Sequence, residues 1–230
     1  MLKLDRTRIE NGGFTLTANL EIPRGARVAV IGPSGAGKST LIEAIAGFLP
    51  LTSGRVLWEG EDLTPRLPGK RPVAMLFQDG NLFPHLTAAQ NVGLGLNPNL
   101  RLSDAEHALV AQALDRVGLK GMESRKPAAL SGGQQSRVAL ARVLVQARDI
   151  LLLDEPFAAL GPALKAEMLD LVAELAQESG ATLLMVSHDP NDARRIADQV
   201  VLVAEGEAHA PRATADLLDN PPPALKAYLG

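Results

Sequence analysis

The chain has 230 residues, of which 46% are hydrophobic and none is cysteine, and its formal net charge is -3. This length suits one large domain, or one that carries an inserted subdomain, and the lack of cysteine excludes disulfide frameworks and thiolate metal sites. The charge argues against nucleic acid as the main partner. No apolar run approaches the roughly 20 residues of a spanning helix, so we expect any membrane role to act through a protein partner, without lipid insertion.

The N-terminal part predicts an antiparallel β region. Residues 2–9 and 14–22 are typical of two short strands joined by a turn at Asn11-Gly12-Gly13. A further strand is predicted over 55–58, after the turn at Thr52-Ser53-Gly54. This part of the chain is therefore expected to form antiparallel strands at the edge of a larger sheet.

A phosphate-binding pattern, G-x-x-x-x-G-K-[ST], begins at Gly32. An apolar strand over 28–31 precedes it and a helix over 38–47 follows, which is the context that this pattern requires. The glycines let backbone N–H groups converge on an anion at a helix N-terminus, Lys38 is placed to reach the outer phosphates, and Ser39 to bind Mg²⁺. An ordinary glycine-rich turn explains the pattern less well. The predicted nucleotide-binding residues are Gly32, Pro33, Ser34, Gly35, Ala36, Gly37, Lys38, Ser39 and Thr40.

The middle of the chain changes character after a buried strand over 73–77, which ends at Gln78. Residues 79–130 combine turn signals with helical periodicity, and Ser103 begins a capping box for one helix. We therefore predict a mostly helical insert over 79–130 within an α/β core.

The α/β pattern returns from residue 131. Buried parallel strands that alternate with helices indicate a doubly wound core. Helices are predicted over about 134–147, 162–179, 191–197 and 213–219, and strands over 150–153, 182–186 and 199–203.

Polar residues follow directly on several of the apolar strands. Because ligands bind at the carboxyl ends of strands in such sheets, we expect Gln78, Asp154, Glu155 and His188 to converge on one nucleotide. Asp154, with Ser39 and Gln78, is placed to hold Mg²⁺, and Glu155 to deprotonate a water. His188 is expected to hydrogen-bond the γ-phosphate. The predicted catalytic residues are thus Glu155, His188 and Gln78, whereas His85, His107 and His209 are not spaced as a metal site.

A second glycine loop precedes the helix predicted over 134–147. It consists of Ser131, Gly132, Gly133 and Gln134. An ordinary N-cap loop is one interpretation, and a second anion site is the other. Since residues 32–40 already surround one set of phosphates, the second loop makes sense if it serves a nucleotide that another copy of the chain holds.

These motifs, in this order and spacing, resemble the ATP-binding cassette (ABC) ATPases over nearly the whole chain. The resemblance implies a single ABC ATPase domain over 1–230: a P-loop NTPase core with a mainly parallel sheet and an N-terminal antiparallel β subdomain (1–78 and 131–230), and an inserted helical subdomain (79–130). It implies binding of ATP and Mg²⁺, and a head-to-tail dimer in which each ATP lies between residues 32–40 of one copy and residues 131–134 of the other.

Residues 71–78, 81–87, 91–98 and 183–188 are similar to the ATPases of bacterial thiamine importers. This resemblance implies ATP hydrolysis coupled to uptake of thiamine or thiamine phosphate, with membrane permease subunits as partners, and indirectly a periplasmic binding protein, at the cytoplasmic face of the bacterial inner membrane. Import of another solute, such as iron or an anion, and a soluble ABC ATPase without a transport role are the alternatives. A P-loop kinase or GTPase would leave residues 130–134 unexplained.

Three residues depart from the family pattern, and one of them, Asp79 after Gln78, where the family commonly has glutamate, is a small change. Asn11 stands near the position where the family usually has an aromatic residue that stacks on adenine, and Phe14 is the candidate substitute. Gly161 replaces an aspartate that usually connects the two sites of the dimer. Base stacking and coupling between sites are therefore the two properties in which this chain is expected to differ.

Overall fold

The structure is a computed structural model that describes residues 1–78, 80–223 and 225–226, so Asp79, where the predicted insert begins, lies outside the described residues. The strands are β1 (Leu2–Asn11), β2 (Phe14–Ile22), β3 (Arg27–Ile31), β4 (Ser53–Trp58), β5 (Glu61–Asp62), β6 (Val73–Leu76), β7 (Ile150–Asp154), β8 (Thr182–Val186), β9 (Gln199–Ala204), β10 (Glu207–Ala208) and β11 (Arg212–Ala213). The α-helices are α1 (Lys38–Ala46), α2 (Ala88–Gly93), α3 (Asp104–Arg116), α4 (Gly132–Leu144), α5 (Pro162–Ser179), α6 (Pro190–Ile196) and α7 (Thr214–Asp219).

The centre of the fold is a parallel sheet in the order β9-β3-β8-β7-β6. Its inner strands are continuous apolar runs, because helices cover both faces; β8, for example, is buried at every residue. Leu76 pairs with Leu153, Asp154 with Val186, and Val30 with Val186, so the strands end at one edge of the sheet. This register brings the residues that follow each strand close together.

The antiparallel part consists of the β1–β2 and β1–β4 pairs, with β5 beside β4. The two-residue strand β10 pairs with β2 on one side and β9 on the other, and thereby joins the two parts into one sheet. The predicted fold class, a mainly parallel core with an N-terminal antiparallel part, is confirmed.

Helices α2 and α3 pack against α4 over one apolar core that includes Val92, Leu114 and Val138. Ser103 and Glu106 form the predicted capping box at the start of α3. Helix α4 begins at Gly132, two residues before its predicted start, because Ser131 caps it. The boundaries of the helical insert, 79 and 130, remain a prediction. None of the helices that the structure describes is long and apolar enough to span a bilayer.

Candidate nucleotide-binding site

The loop between β3 and α1 has a backbone that requires glycine at two positions. Gly32 has φ 151°, and a Cβ there would lie 2.0 Å from the carbonyl oxygen of Val203. Gly37 has φ 101°, and a Cβ there would lie 2.7 Å from the ring of Phe14. Residues other than glycine rarely adopt either backbone conformation. The loop is therefore held in shape by β9 on one side and by the start of β2 on the other.

Lys38, the first residue of α1, points back over this loop. Its side chain is buried, and its ammonium group donates to the carbonyls of Gly32 and Pro33, each at 2.9 Å. Burial lowers the pKa of Lys38, and the charges of Glu155 and Asp154 act in the opposite direction. An ammonium group has three N–H donors, so these two bonds fix its position at the loop.

Ser39 and Asp154 meet across the ends of α1 and β7. The Ser39 hydroxyl donates to Oδ1 of Asp154 at 3.1 Å. Burial is the main cause that raises the pKa of the Asp154 carboxyl, and the bond from Ser39 partly offsets it. These are hard oxygen donors, and adjacent ligands on an octahedral Mg²⁺ stand about 3 Å apart. The pair therefore fits the predicted Mg²⁺ site.

Glu43 is a third oxygen-bearing side chain near this pair, and it was not predicted as a site residue. Burial, followed by the charge of Asp154, raises the pKa of its carboxyl. It lies four residues after Ser39 on α1, and residues at this spacing share one helix face. That spacing is the sequence signal that would have found it.

Glu155 and His188 form a pair at the carboxyl ends of β7 and β8. Nδ1 of His188 lies 3.0 Å from Oε2 of Glu155. Glu155 has φ 43°, and its backbone N–H donates to the carbonyl of Val186 at 3.2 Å. A positive φ is unusual for glutamate, and strained residues of this kind cluster at functional sites. The structure thus places His188 against Glu155, whereas the sequence prediction assigned it to the γ-phosphate.

A cavity of about 390 Å³ opens in front of the phosphate loop. Its walls include Lys38, Ser39 and Glu155, and also Asn11 and Phe14. Phe14 is partly buried against the loop and also borders the open space. A nucleotide whose phosphates lie at Lys38 would therefore share this cavity with Asn11 and Phe14.

Gln78 lies in a neighbouring cleft. It follows β6 and is exposed, and the cleft of about 500 Å³ is also lined by Gly132, Pro156 and Ala159. Among the residues that the structure describes, no hydrogen bond joins Gln78 to Asp154. The sheet brings Lys38, Ser39, Asp154, Glu155 and His188 together, while Gln78 borders the opening that faces the second glycine loop.

The second glycine loop is on the surface. Ser131 and Gly132 are exposed, and a Cβ added to Gly132 would touch nothing within 4 Å. Ser131 caps α4: its hydroxyl accepts from the backbone N–H of Gln134 at 3.3 Å, and Oε1 of Gln134 accepts from the N–H of Ser131 at 3.0 Å. The N-cap interpretation is thus correct as local structure. This cap is compatible with an anion at the loop, since the first N–H groups of an α-helix have no partners within the helix.

Comparison with known proteins yields one family, whose model, described as ABC transporter, matches residues 16–158. Two curated relatives are similar over all of both chains: the thiamine import ATP-binding protein ThiQ of Ruegeria sp. strain TM1040, at 69% identity, and that of Cereibacter sphaeroides, at 63%.

Solved structures agree with this family. A dimeric post-hydrolysis state of the ATP-binding cassette MJ0796, bound to ADP and Pi, is 31% identical with a TM-score of 0.80, over 93% of this chain and 99% of that one. The structure of cbiO1 from Clostridium perfringens, part of the ABC transporter complex cbiONQ, is 30% identical with a TM-score of 0.85, over 95% and 90%.

Proposed function

The chain belongs to the ABC transporter family, and we infer that it is the ATP-binding and ATP-hydrolysing subunit of a thiamine importer. The family assignment confirms the resemblance stated from the motifs. The thiamine assignment is supported by full-length relatives at 69% and 63% identity that carry that name. ATP is the nucleotide, and its hydrolysis is the reaction that is coupled to transport.

The phosphate loop and Lys38 bind the triphosphate. The loop supplies backbone N–H groups at the start of α1, and the ammonium group of Lys38 supplies a positive charge that two carbonyl contacts hold in place. Ser39 and Asp154 would hold Mg²⁺, which neutralises phosphate charge when bound. Together these groups position the phosphates and offset their charge, which is most of what phosphoryl transfer requires from a protein.

Glu155 is the proposed general base for the attacking water. Its carboxylate borders the cavity in front of the phosphate loop and contacts His188 at 3.0 Å. His188 therefore orients Glu155 before nucleotide binds, and Gln78, at the rim of the adjoining cleft, completes the proposed catalytic set. Proton transfer by a positioned carboxylate contributes about 10²–10⁴-fold to a rate.

The second glycine loop serves the nucleotide of a second copy. Ser131, Gly132, Gly133 and Gln134 are proposed to face the phosphates that the partner copy holds, so two head-to-tail copies enclose two ATP molecules. The dimeric state of the similar cassette MJ0796 supports this proposal. ATP then stabilises the closed dimer, and hydrolysis favours opening.

The remaining partners are membrane permease subunits, and indirectly a periplasmic binding protein, with the chain at the cytoplasmic face of the inner membrane. The exposed apolar side chains of Phe48 and Phe83, 51% and 47% exposed, offer a surface for a permease near Gln78. The ring of Phe48 packs 5.6 Å from that of Phe77, next to Gln78 in the chain. A movement of the permease at this surface would be transmitted to the nucleotide site through Phe77 and Gln78.

The grouping of Lys38, Ser39, Asp154, Glu155 and His188 at one sheet edge is the observation that carries the proposed activity. The test is ATP hydrolysis by the chain co-purified with its permease in vesicles, stimulated by a binding protein loaded with thiamine. Stimulation by iron-loaded or anion-loaded binding proteins instead would assign another solute. Co-purification with ribosomes or DNA, and without a permease, would contradict the transport role.

A further inference from the structure

A partly buried ionic cluster lies next to the Glu155–His188 pair and takes no part in the proposed chemistry. Its centre is Lys165 on α5, whose side chain is 17% exposed. The ammonium group of Lys165 lies 2.8 Å from Oδ2 of Asp192 and 3.2 Å from Oδ2 of Asp189. Asp192 belongs to α6 and Asp189 is its N-cap, so Lys165 joins α5 to the start of α6.

The cluster holds both sides of His188. Ser187, which precedes it, donates its hydroxyl to Asp192 and accepts from the backbone N–H of Asp189 at 3.1 Å. Asp189, which follows it, also accepts from the N–H of Asn191 at 2.9 Å. The backbone on each side of His188 is therefore fixed by groups that contact Lys165 directly or through Asp192.

Little free space separates the cluster from the catalytic pair. The cavity between them is about 10 Å³, no larger than one water molecule needs, and its lining includes Glu155, Lys165, His188 and Asp192. Packed groups of this kind transmit displacement, because interiors have low compressibility. A shift of the Lys165 ammonium group would thus move the segment that carries His188.

Lys165 keeps its charge in this setting. Burial alone would lower its pKa, but the hydrogen bonds with Asp192 and Asp189 outweigh burial and raise the pKa. Loss of a partner is costly for a largely buried charge, so the ion pairs of Lys165 favour the arrangement seen here. That arrangement determines where residues 187–189 lie.

We propose that Lys165 is a positioning residue for ATP hydrolysis, which holds residues 187–189, and through them His188, against Glu155. In this proposal Lys165 acts through these residues and not on the nucleotide itself. The inference rests on the proposed ATPase activity and adds a residue to it.

The test is a double-mutant cycle between Lys165→Met and His188→Ala in the complex of the full chain with its permease. We expect Lys165→Met to lower the single-turnover rate of hydrolysis about 10-fold or more, since small misplacements of catalytic groups cost up to about 100-fold. The Kd for ATP should stay within about twofold, because the lost interaction acts on the transition state. In the His188→Ala background the same change should have no further effect.

The matched control is Arg195→Met. Arg195 pairs with Asp170 through two bonds of 2.6 Å, and this exposed pair also joins α6 to α5, away from the site. Arg195→Met should leave the rate of hydrolysis unchanged. Lys165→Arg, which keeps the positive charge, should retain most of the rate that Lys165→Met loses. Thermal unfolding shows whether a variant has lost its fold. Lys165→Met leaves the carboxylate of Asp192 without its ammonium partner, and adding Asp192→Asn to it removes that unpaired charge.

The positioning role would be overturned if Lys165→Met lowered the rate of hydrolysis by the same factor in the presence and absence of His188. It would also be overturned if Arg195→Met lowered the rate as much as Lys165→Met. An unmodified complex that does not hydrolyse ATP would contradict the proposed function itself. Hydrolysis that survives Lys165→Met unchanged would contradict this inference alone.

Discussion

The two glycine loops, residues 32–40 and residues 131–134, both stand at helix N-termini but differ in how much of their environment their own chain supplies. The first is enclosed: Lys38 is buried, and Gly32 and Gly37 are in contact with β9 and with Phe14. The second is exposed, and Gly132 has open space around it. Each is a helix terminus suited to an anion, yet the first has most of a binding site around it and the second has little.

This difference between the loops predicts that the first mainly affects the affinity for ATP and the second mainly affects the rate of hydrolysis. In the proposed arrangement, contacts that one chain makes by itself set how tightly ATP binds, and groups from a second copy act once the dimer closes. Changes at the first loop should therefore weaken binding in a single chain, whereas changes at the second should slow hydrolysis and leave binding intact. The following predictions test this division, from the largest effect to the smallest.

Glu155→Gln should give the largest effect. It removes the proposed base and keeps the shape of the side chain, so turnover should fall about 10²–10⁴-fold while ATP still binds. A closed dimer should then accumulate, visible as a doubled mass by light scattering with ATP. Glu167→Gln, on the exposed side of α5, is the control. Full turnover in Glu155→Gln would refute the role given to this carboxylate.

Lys38→Ala should act on binding. The loss of a charged, buried donor that is proposed to contact the phosphates should raise the Kd for ATP about 100-fold, as measured by calorimetry on the single chain. Lys120→Ala, whose side chain is 80% exposed, should bind ATP normally. Unchanged affinity in Lys38→Ala would remove the first loop from the nucleotide site.

Asp154→Asn should stabilise the ligand-free chain. The pKa of Asp154 is raised in the folded state, so the folded chain holds this proton more tightly, and stability falls as pH rises from the unfolded pKa through the folded one. Above that pH window the cost of the buried Asp154 charge persists. Asparagine removes this charge, so at pH 7 the variant should melt up to about 4 °C higher.

This gain should vanish below about pH 4, where the carboxyl is protonated in both states. The exposed Asp115→Asn should leave the melting temperature nearly unchanged at either pH. A lower melting temperature for Asp154→Asn at pH 7 would contradict the burial argument.

Gly161→Asp should give the smallest change in stability. Gly161 is the N-cap of α5 with φ -64° and ψ 157°, and a Cβ there meets nothing within 4 Å. Aspartate at an N-cap is favoured over glycine by a few tenths of a kcal/mol, so a slight rise in melting temperature is expected. Cooperativity in ATP, measured as a Hill coefficient, should change more than affinity. A shift in Kd with an unaltered Hill coefficient would contradict this.

Local sequence patterns predicted the elements whose bounds depend on adjacent residues, and they missed a strand that depends on distant ones. The strand, turn and helix around residues 32–40 follow from adjacent residues, and α5 begins at Pro162 and ends before Gly180 because a proline and a left-handed glycine fix its ends. The two-residue strand β10 was not predicted, since such short pairings depend on strands that are distant in the chain.

The sequence patterns predicted that Glu155 and His188 lie at one site, but they did not predict which side chains are in direct contact across the fold. His188 lies against Glu155, and Lys165 reaches Asp192, because β7, β8, α5 and α6 pack side by side. Gly133 is close to Leu164, where a Cβ would lie 2.3 Å from a side-chain carbon. No periodicity encodes these pairs, since each depends on how separate elements meet. The pattern at 131–134 did indicate an N-cap loop, and the partner proposed for this loop belongs to a second copy of the chain.

Sharing of each nucleotide between two copies is tested most directly by complementation. A Lys38→Ala chain and a Gly132→Asp chain, which adds a negative charge toward the partner's phosphates, are co-expressed with different tags and purified as the mixed complex with permease. Each alone should be inactive, while the mixed complex contains one site with both loops intact and should hydrolyse ATP at about half the unmodified rate. A mixed complex no more active than its two parents would contradict the account.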